Sequence, residues 1–346
     1  MINNLINSWQ FEDGKEKDVV LSSRIRLARN LMEYEFPNKS TEVEKNKLIS
    51  YLKEKLNFLI NDGYNFYLME NLDDIERAVL HEEHLISRDH SINPKTRALF
   101  LNNKSHLSIM INEEDHLRIQ ILSVGLEFED LWEKIDSLDD QIDKKVNYAF
   151  SEKWGYLTSC PTNVGTALRA SVMCHLPALV LSGRIDNILG EVGKFGLTVR
   201  GISGEGSDTE AELFQISNQI TLGFNEKEII DKLESVIKQI IAEERKSRKY
   251  LLKNNYIKLK DNVARALGLL KYAYQLEESE SLKYLSRIKF GQDTDLIDDK
   301  LDEGVFSKLL FKIKEAHLKY NFGYDITEEK LRIKRAEVIK NILNEE

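Results

Sequence analysis

Apolar residues recur at helical intervals between Thr41 and Ile60, where Leu48, Ile49, Leu52, Leu56 and Leu59 would share one face. Thr41 and Glu44 stand at capping-box spacing, which predicts where that helix starts. The pattern then changes. YNFYLM (Tyr64–Met69) is rich in aromatics and reads as a strand. Between Arg97 and Leu122, the runs RALFLN, HLSIMI and HLRIQIL are separated by polar turns, which predicts neighbouring antiparallel strands. A long helix is expected over Glu127–Phe150, with strands over Thr198–Ser203 and Phe214–Leu222. An amphipathic helix follows from Asn225 to about Lys249, turning Ile229, Ile230, Leu233, Val236, Ile237, Ile240 and Ile241 inward.

After about Leu251 the texture changes again. NVARALGLLKYAYQL and FSKLLFKIKEAHLKY carry helix periodicity with few strand or glycine signals. A boundary is therefore expected at residues 245–255, dividing a domain over 1–248 from a helical one over 249–346.

Composition narrows the class. With 42% hydrophobic and 31% charged residues, the chain has the makeup of an ordinary globular protein. No apolar run approaches the roughly 18–20 residues of a membrane span. The opening MINNLINSWQFEDGKEKD lacks the basic start and apolar middle of a signal peptide. Two cysteines, Cys160 and Cys174, make no disulfide framework. The expected location is the cytoplasm. A net charge of −9 argues against direct nucleic-acid binding as the main activity.

Candidate chemistry concentrates in four separated segments. NEEDHLR (Asn112–Arg118) sets Glu113 and Glu114 just before an arginine. SSRIRLARN (Ser22–Asn30), CPTNVGTALRASVM (Cys160–Met173) and VRGISGEGSD (Val199–Asp208) each place arginine beside small or acidic residues. Converging guanidinium forks suit a polyphosphate. Carboxylates among them suit a cationic substrate or proton transfer. Together they fit an enzyme that moves phosphate from a nucleotide to a basic acceptor. No phosphate loop, zinc spacing or dinucleotide fingerprint is present. SRDHSIN has the wrong spacing for a protein-kinase catalytic loop, because Pro94 stands where the metal-binding Asn belongs. A nucleotide site here must be built mainly from arginines.

SSRIRLARN, NEEDHLR, CPTNVGTALRASV, VRGISGE and ISNQITLG, in that order, resemble the phosphagen kinases, the ATP:guanido phosphotransferase family. The resemblance implies an α+β fold: a large, mostly antiparallel sheet flanked by helices, here followed by an all-helical C-terminal domain. Phosphagen kinases carry a helical domain ahead of the SSR segment, and here that segment opens at Ser22. The arrangement resembles the bacterial branch of the family that phosphorylates arginine side chains in proteins. A kinase for free arginine or another small guanidine is the in-class alternative. A non-catalytic adaptor for arginine-rich or phosphoarginine partners is the alternative from another class.

The family pattern implies roles. Glu114 would be the base and Glu205 a second carboxylate clamp, with Cys160 beside the guanidino group. Arg24, Arg26, Arg118, Arg169 and Arg200 would hold ATP phosphates. Backbone groups of Ser22, Ser23, Arg24, Ile25 and Arg26, of Arg169, Ala170, Ser171, Val172 and Met173, and of Arg200, Gly201, Ile202, Ser203, Gly204 and Glu205 would line the same site. His84 would sit near the nucleotide base, while Arg29 is expected in a surface ion pair. Mg2+ is implied with ATP, held mainly through the nucleotide. Arg335 in LRIKRA, which departs from the branch's R-D-x-x-R-A pattern at Leu331 and Arg332, is the phosphoarginine candidate. Family analogy adds protein substrates, an activator protein, a heat-shock repressor, Clp protease components, a stress-response role and a homodimer.

Overall fold

The computed structural model describes residues 13–102, 106–201, 211–297, 301–302 and 304–344. β1 (Val20–Arg29) is followed by α1 (Glu42–Lys55), α2 (Phe58–Asn61), β2 (Asn65–Leu68), α3 (Asp74–Glu82) and α4 (Arg88–Ile92). Then come β3 (Ala98–Asn102), β4 (Leu107–Ile111), β5 (Leu117–Val124) and α5 (Phe128–Asp143). A small hairpin of β6 (Phe150–Ser151) and β7 (Gly155–Tyr156) leads to β8 (Leu168–His175), α6 (Pro177–Leu181), α7 (Ile185–Lys194), β9 (Leu197–Gly201) and β10 (Leu213–Asn218). The remainder is helical: α8 (Glu226–Tyr272), α9 (Glu278–Asp293), α10 (Val305–Lys312), α11 (Glu315–Phe322) and α12 (Glu328–Asn344).

Eight strands form one sheet in the order β2-β3-β4-β5-β1-β8-β10-β9, antiparallel throughout. Side chains alternate across it. One face sends Ile25, Leu27, Ile119, Ile121, Ala170, Val172, Phe214 and Ile216 into a core shared with α1, α5 and the first half of α8. Each such aliphatic side chain, fully buried, contributes about 1.5–3 kcal/mol. The other face sends Leu99, Leu101, Met110, Leu122 and Leu213 against α3 and the C-terminal helices. The middle of that second face is polar.

Several expectations meet the structure directly. The Thr41–Glu44 capping box forms, as does one at Asn225–Glu228. The seven predicted inward residues of α8 are all buried. The first predicted helix is interrupted after Lys55, though Leu56 and Leu59 still reach the core. α5 stops at Asp143, short of Phe150. Asp139, Asp140 and Asp143 crowd its C-terminal end, where the helix dipole disfavours acids. β10 ends at Asn218, whose side-chain amide donates to the Leu168 and Ile220 carbonyls and closes a turn. α8 runs on to Tyr272, so residues 245–255 lie inside a helix that departs from helical backbone angles at Asn255. β1 and β8, the centre of the sheet, carry no strand expectation from periodicity, because arginines occupy their second face.

Candidate active site

Arg24 and Arg26 point from β1 to the polar face. Their cross-strand neighbours are Ser171 and Arg169 on β8, and Leu122 and Gln120 on β5. Like charges set directly opposite, as Arg26 and Arg169 are, destabilise a bare sheet. The Nε atoms of Arg24 and Arg26 are buried and have no hydrogen-bond partner among the described residues. Burial first, and repulsion from Arg118 second, pull Arg24 down to about 10. Burial and three neighbouring arginines pull Arg26 down further. Crowding like charges at partly buried positions is costly, and an anion bound against this face offsets that cost.

The acids come from the β4–β5 hairpin. Its loop, Asn112–His116, closes through the Asn112 amide donating to the His116 carbonyl, with Asn112 in the left-handed region that Asn tolerates. Three consecutive acids leave this loop in three directions. Glu113 accepts from Arg118 Nη1 at 2.9 Å, with its side chain 7% exposed. Burial alone would raise its carboxyl, but Arg118, the Glu114 amide and Ser87 bring it down to about 2. Asp115 turns inward and accepts from Asn30 Nδ2 at 2.6 Å and from the Ser159 amide at 2.7 Å. It thereby ties the acid loop to the segment that bears Cys160. Glu114 points outward and is exposed. Partial burial and its acidic neighbours Asp115 and Glu113 raise its carboxyl, against Arg118 and Arg169. Glu113 is thus a fixed anion, and Glu114 is the uncommitted carboxylate.

Below the loop, His116 is spent on structure. Its Nδ1 accepts from the Leu31 amide at 3.0 Å, so Nε2 carries the proton and donates to the Glu35 carbonyl at 3.0 Å.

Two clefts meet over this face. One, of about 240 Å³, is lined by Arg26, Glu113, Glu114, Arg118, Cys160 and Arg169 among others. The second, of about 620 Å³, is lined by Arg24, Arg26, Arg169, Arg200, Gln215 and Ser217 among others. Arg26, Thr162 and Arg169 belong to both, so the two are continuous. One end is therefore cationic, and the other mixes carboxylates with a thiol. Cys160 is half-buried, with Sγ 3.0 Å from Thr162 Oγ1.

The predicted residues divide. The side chains of Arg24, Arg26, Arg118, Arg169, Arg200, Glu114 and Cys160 all line this double cleft. Arg169 is also a strut, donating to the Asn218 and Gln219 carbonyls at 2.8 and 2.9 Å and to Asn163 at 3.2 Å. Ser22–Arg26 and Arg169–Met173 lie in central strands: the first is paired with β5 and β8, and the second with β1 and, from Ser171, with β10. Ile25, Ala170 and Val172 face the core. Ser23 donates to the Gly125 carbonyl, and Ser22 and Met173 line neither cleft. Gly201 ends β9. Ile202, Ser203, Gly204 and Glu205 lie outside the described residues.

His84 lines neither cleft; its ring meets Phe311 edge-on at 5.7 Å. Arg29 does form an ion pair, but a buried one. It is 2% exposed, bonded to Asp139 through Nε and Nη2, with its guanidinium 3.5 Å from the Tyr156 ring centre. Arg335 is buried, and it donates to the Ile313 and Leu276 carbonyls at 2.8 and 3.0 Å. As placed, those donors pin α12 to the ends of its neighbours, so phosphate binding there requires the bonds to break.

Sequence reasoning missed the Glu113–Arg118 pair, the Asp115 tie, and the lining from Gln215 and Ser217. The polar alternation Gln215, Ser217 on an otherwise apolar strand was the available signal. The Asp115 tie had none, because its partners are 85 and 44 residues away.

Residues 47–247 match the family described as ATP:guanido phosphotransferase, C-terminal catalytic domain. Residues 256–346 match the protein-arginine kinase McsB C-terminal domain. A protein-arginine kinase of Halothermothrix orenii is 47% identical, over 99% of this chain and 98% of its own. Another from Caldanaerobacter subterraneus subsp. tengcongensis is 43% identical, over 95% of this chain and 98% of its own. Among solved structures, a lombricine kinase superposes with a TM-score of 0.59 at 25% identity, covering 71% of this chain and 70% of that one. The chain belongs to the ATP:guanido phosphotransferase family, among its protein-arginine kinases.

Proposed function

We propose that this enzyme transfers the γ-phosphoryl group of ATP to arginine side chains of proteins. One observation carries the reading: an arginine face, on which the buried Nε atoms of Arg24 and Arg26 have no hydrogen-bond partner among the described residues, continues directly into a cleft holding an uncommitted carboxylate. The nucleotide's phosphates would lie against Arg24, Arg26, Arg169 and Arg200, where fixed cations stabilise charge on the equatorial oxygens of the transferring group. Mg2+ would be carried on the nucleotide oxygens, where the ion would neutralise charge on the leaving phosphate.

The acceptor guanidinium is protonated at neutral pH and is a poor nucleophile. Glu114 would orient one of its nitrogens and accept a proton from it as the nitrogen attacks the γ-phosphorus. The new P–N bond forms as the bond to the β-phosphate's bridging oxygen breaks. ADP leaves, and Glu114 passes its proton to water. Glu113 is held ionised by Arg118 and cannot share this task without losing that pair. Cys160 is proposed to lie beside the acceptor guanidinium, with Glu205, outside the described residues, as a second carboxylate clamp.

The protein acceptor is supported by the names of the relatives and by the match at residues 256–346. We assign the chemistry to residues up to about 248 and protein docking to the helical remainder. An activator protein, a heat-shock repressor and Clp protease components, a homodimeric assembly, and a cytoplasmic stress-response setting are proposed from the family resemblance alone. The test is ADP release with two acceptors, an unfolded arginine-rich protein and free arginine. Turnover should be far faster with the protein; comparable turnover with both contradicts a protein-directed enzyme.

A further inference from the structure

We propose that His317, bracketed by Glu82 and Glu83, is a positioning residue through which the C-terminal helices set the geometry of the phosphate-facing arginines. His317 is 1% exposed on α11. Its Nδ1 lies 2.7 Å from Glu82 Oε2, and its Nε2 lies 2.8 Å from Glu83 Oε1. Glu82 also accepts from the Ala316 and His317 amides at 2.9 and 3.1 Å, capping α11. A ring with a carboxylate on each nitrogen donates twice, so it is an imidazolium. Glu83 is itself 1% exposed, and the ring lies against its buried carboxylate.

The segment that begins at Glu83 leads straight to the site. The carbonyls of His84 and Leu85 each accept from Gln120 Nε2 at 2.8 Å. Gln120 is the cross-strand neighbour of Arg26. Two residues further, Ser87 helps hold the carboxyl of Glu113, the partner of Arg118, in its ionised form. His84 is held in the left-handed backbone region, and its ring rests on Phe311 of α10. A residue other than glycine persists there only when its surroundings fix it. Helices α10 and α11 therefore grip residues 82–87 from one side, while Arg26 and Arg118 depend on them from the other.

The charge state gives the test its signature. Burial opposes protonation of His317, but the bonds from Glu82 and Glu83 outweigh it and hold the ring above the ordinary histidine range. The positioning effect is then fully present at acidic to neutral pH and is lost as pH rises through that raised value. Arg24, at about 10, also titrates on the alkaline side. Its contribution is common to the wild type and the variants, so the difference between them isolates His317.

The inference rests on the arginine face being the nucleotide site, and ADP binding by the wild type is the control. Isothermal titration of the full chain with ADP would compare wild type, His317→Gln and Glu82→Gln at about pH 6.5 and about pH 9, with folding checked by circular dichroism. We expect His317→Gln to bind roughly tenfold more weakly at the lower pH, the scale of one lost charge-assisted hydrogen bond, with the gap closing at the higher pH. Glu82→Gln, which alters the more exposed partner, should show a smaller loss with the same pH trend and decides the matter should His317→Gln fail to fold. Variants that are less stable yet bind ADP within twofold of the wild type at both pH values would overturn the inference. A wild type that does not bind ADP would remove the nucleotide reading as well.

Discussion

Replacing Glu113 with glutamine, and separately Glu114 with glutamine, should produce opposite phenotypes from adjacent, chemically identical changes. Glu113 titrates near 2 instead of at its ordinary 4.5. Each tenfold in proton affinity is worth about 1.4 kcal/mol, so its ionised form contributes roughly 3 kcal/mol to the fold. The depressed value fixes the sign: the contribution is complete above about pH 4.5 and is lost as pH falls toward about 2. Glu113→Gln should therefore lower unfolding free energy by roughly 2–3 kcal/mol at pH 7, with the gap to wild type closing in acid. Glu114 is exposed and makes no side-chain hydrogen bond among the described residues, so Glu114→Gln should leave stability within about 0.5 kcal/mol. Its turnover should fall roughly 10²–10⁴-fold, the usual contribution of a general base. Urea unfolding at two pH values and ADP-release kinetics measure both quantities. Near-normal turnover by Glu114→Gln, or full stability of Glu113→Gln at pH 7, would refute the division of labour.

Other substitutions separate binding from folding. Arg26→Met removes a half-buried charge whose Nε lacks a partner among the described residues and whose charged neighbours are mostly arginines, so the nucleotide-free protein should be as stable as wild type or more so, while ADP binding is lost in calorimetry. Arg118→Ala and Arg200→Ala should each weaken ADP binding and slow transfer; unchanged affinity and rate in both would place them outside the site. Arg29→Ala strands Asp139 beneath the sheet and should cost about 3–5 kcal/mol in unfolding experiments, with ADP affinity of the folded fraction little changed.

Much of this molecule was legible where local rules decide. The Thr41–Glu44 capping box, the apolar face of α8 and the three short strands β3 to β5 follow from spacing and were read correctly. The central strands were not, although their arginines were singled out. A strand with arginine at every second position on one face looks like a surface loop unless a partner anion is imagined there. The helix expected to reach Phe150 stopped at Asp143 because acids gather at its end and Tyr148 folds back to bond Asp139, a tertiary contact. The arginines that line the double cleft were singled out because phosphate chemistry demands that residue type. The strand pairing of Ser22–Arg26 on both sides was not legible, because it depends on β5 and β8 far along the chain. Arg29 illustrates the same limit. Its ion pair was anticipated, but its burial depends on Asp139, Tyr148 and Tyr156, which no local pattern links to it.

The central claim concerns the bond that is made, and the most direct measurement is the chemistry of the phosphorylated product. The full chain, ATP and an unfolded arginine-rich protein should yield phosphate bound to protein through nitrogen. That phosphate would be lost in mild acid, resolved as a phosphoramidate by phosphorus NMR and assigned to arginine by mass spectrometry, with one ADP formed per group transferred. Phosphate on serine, threonine or tyrosine oxygen, stable to the same acid, would contradict the account.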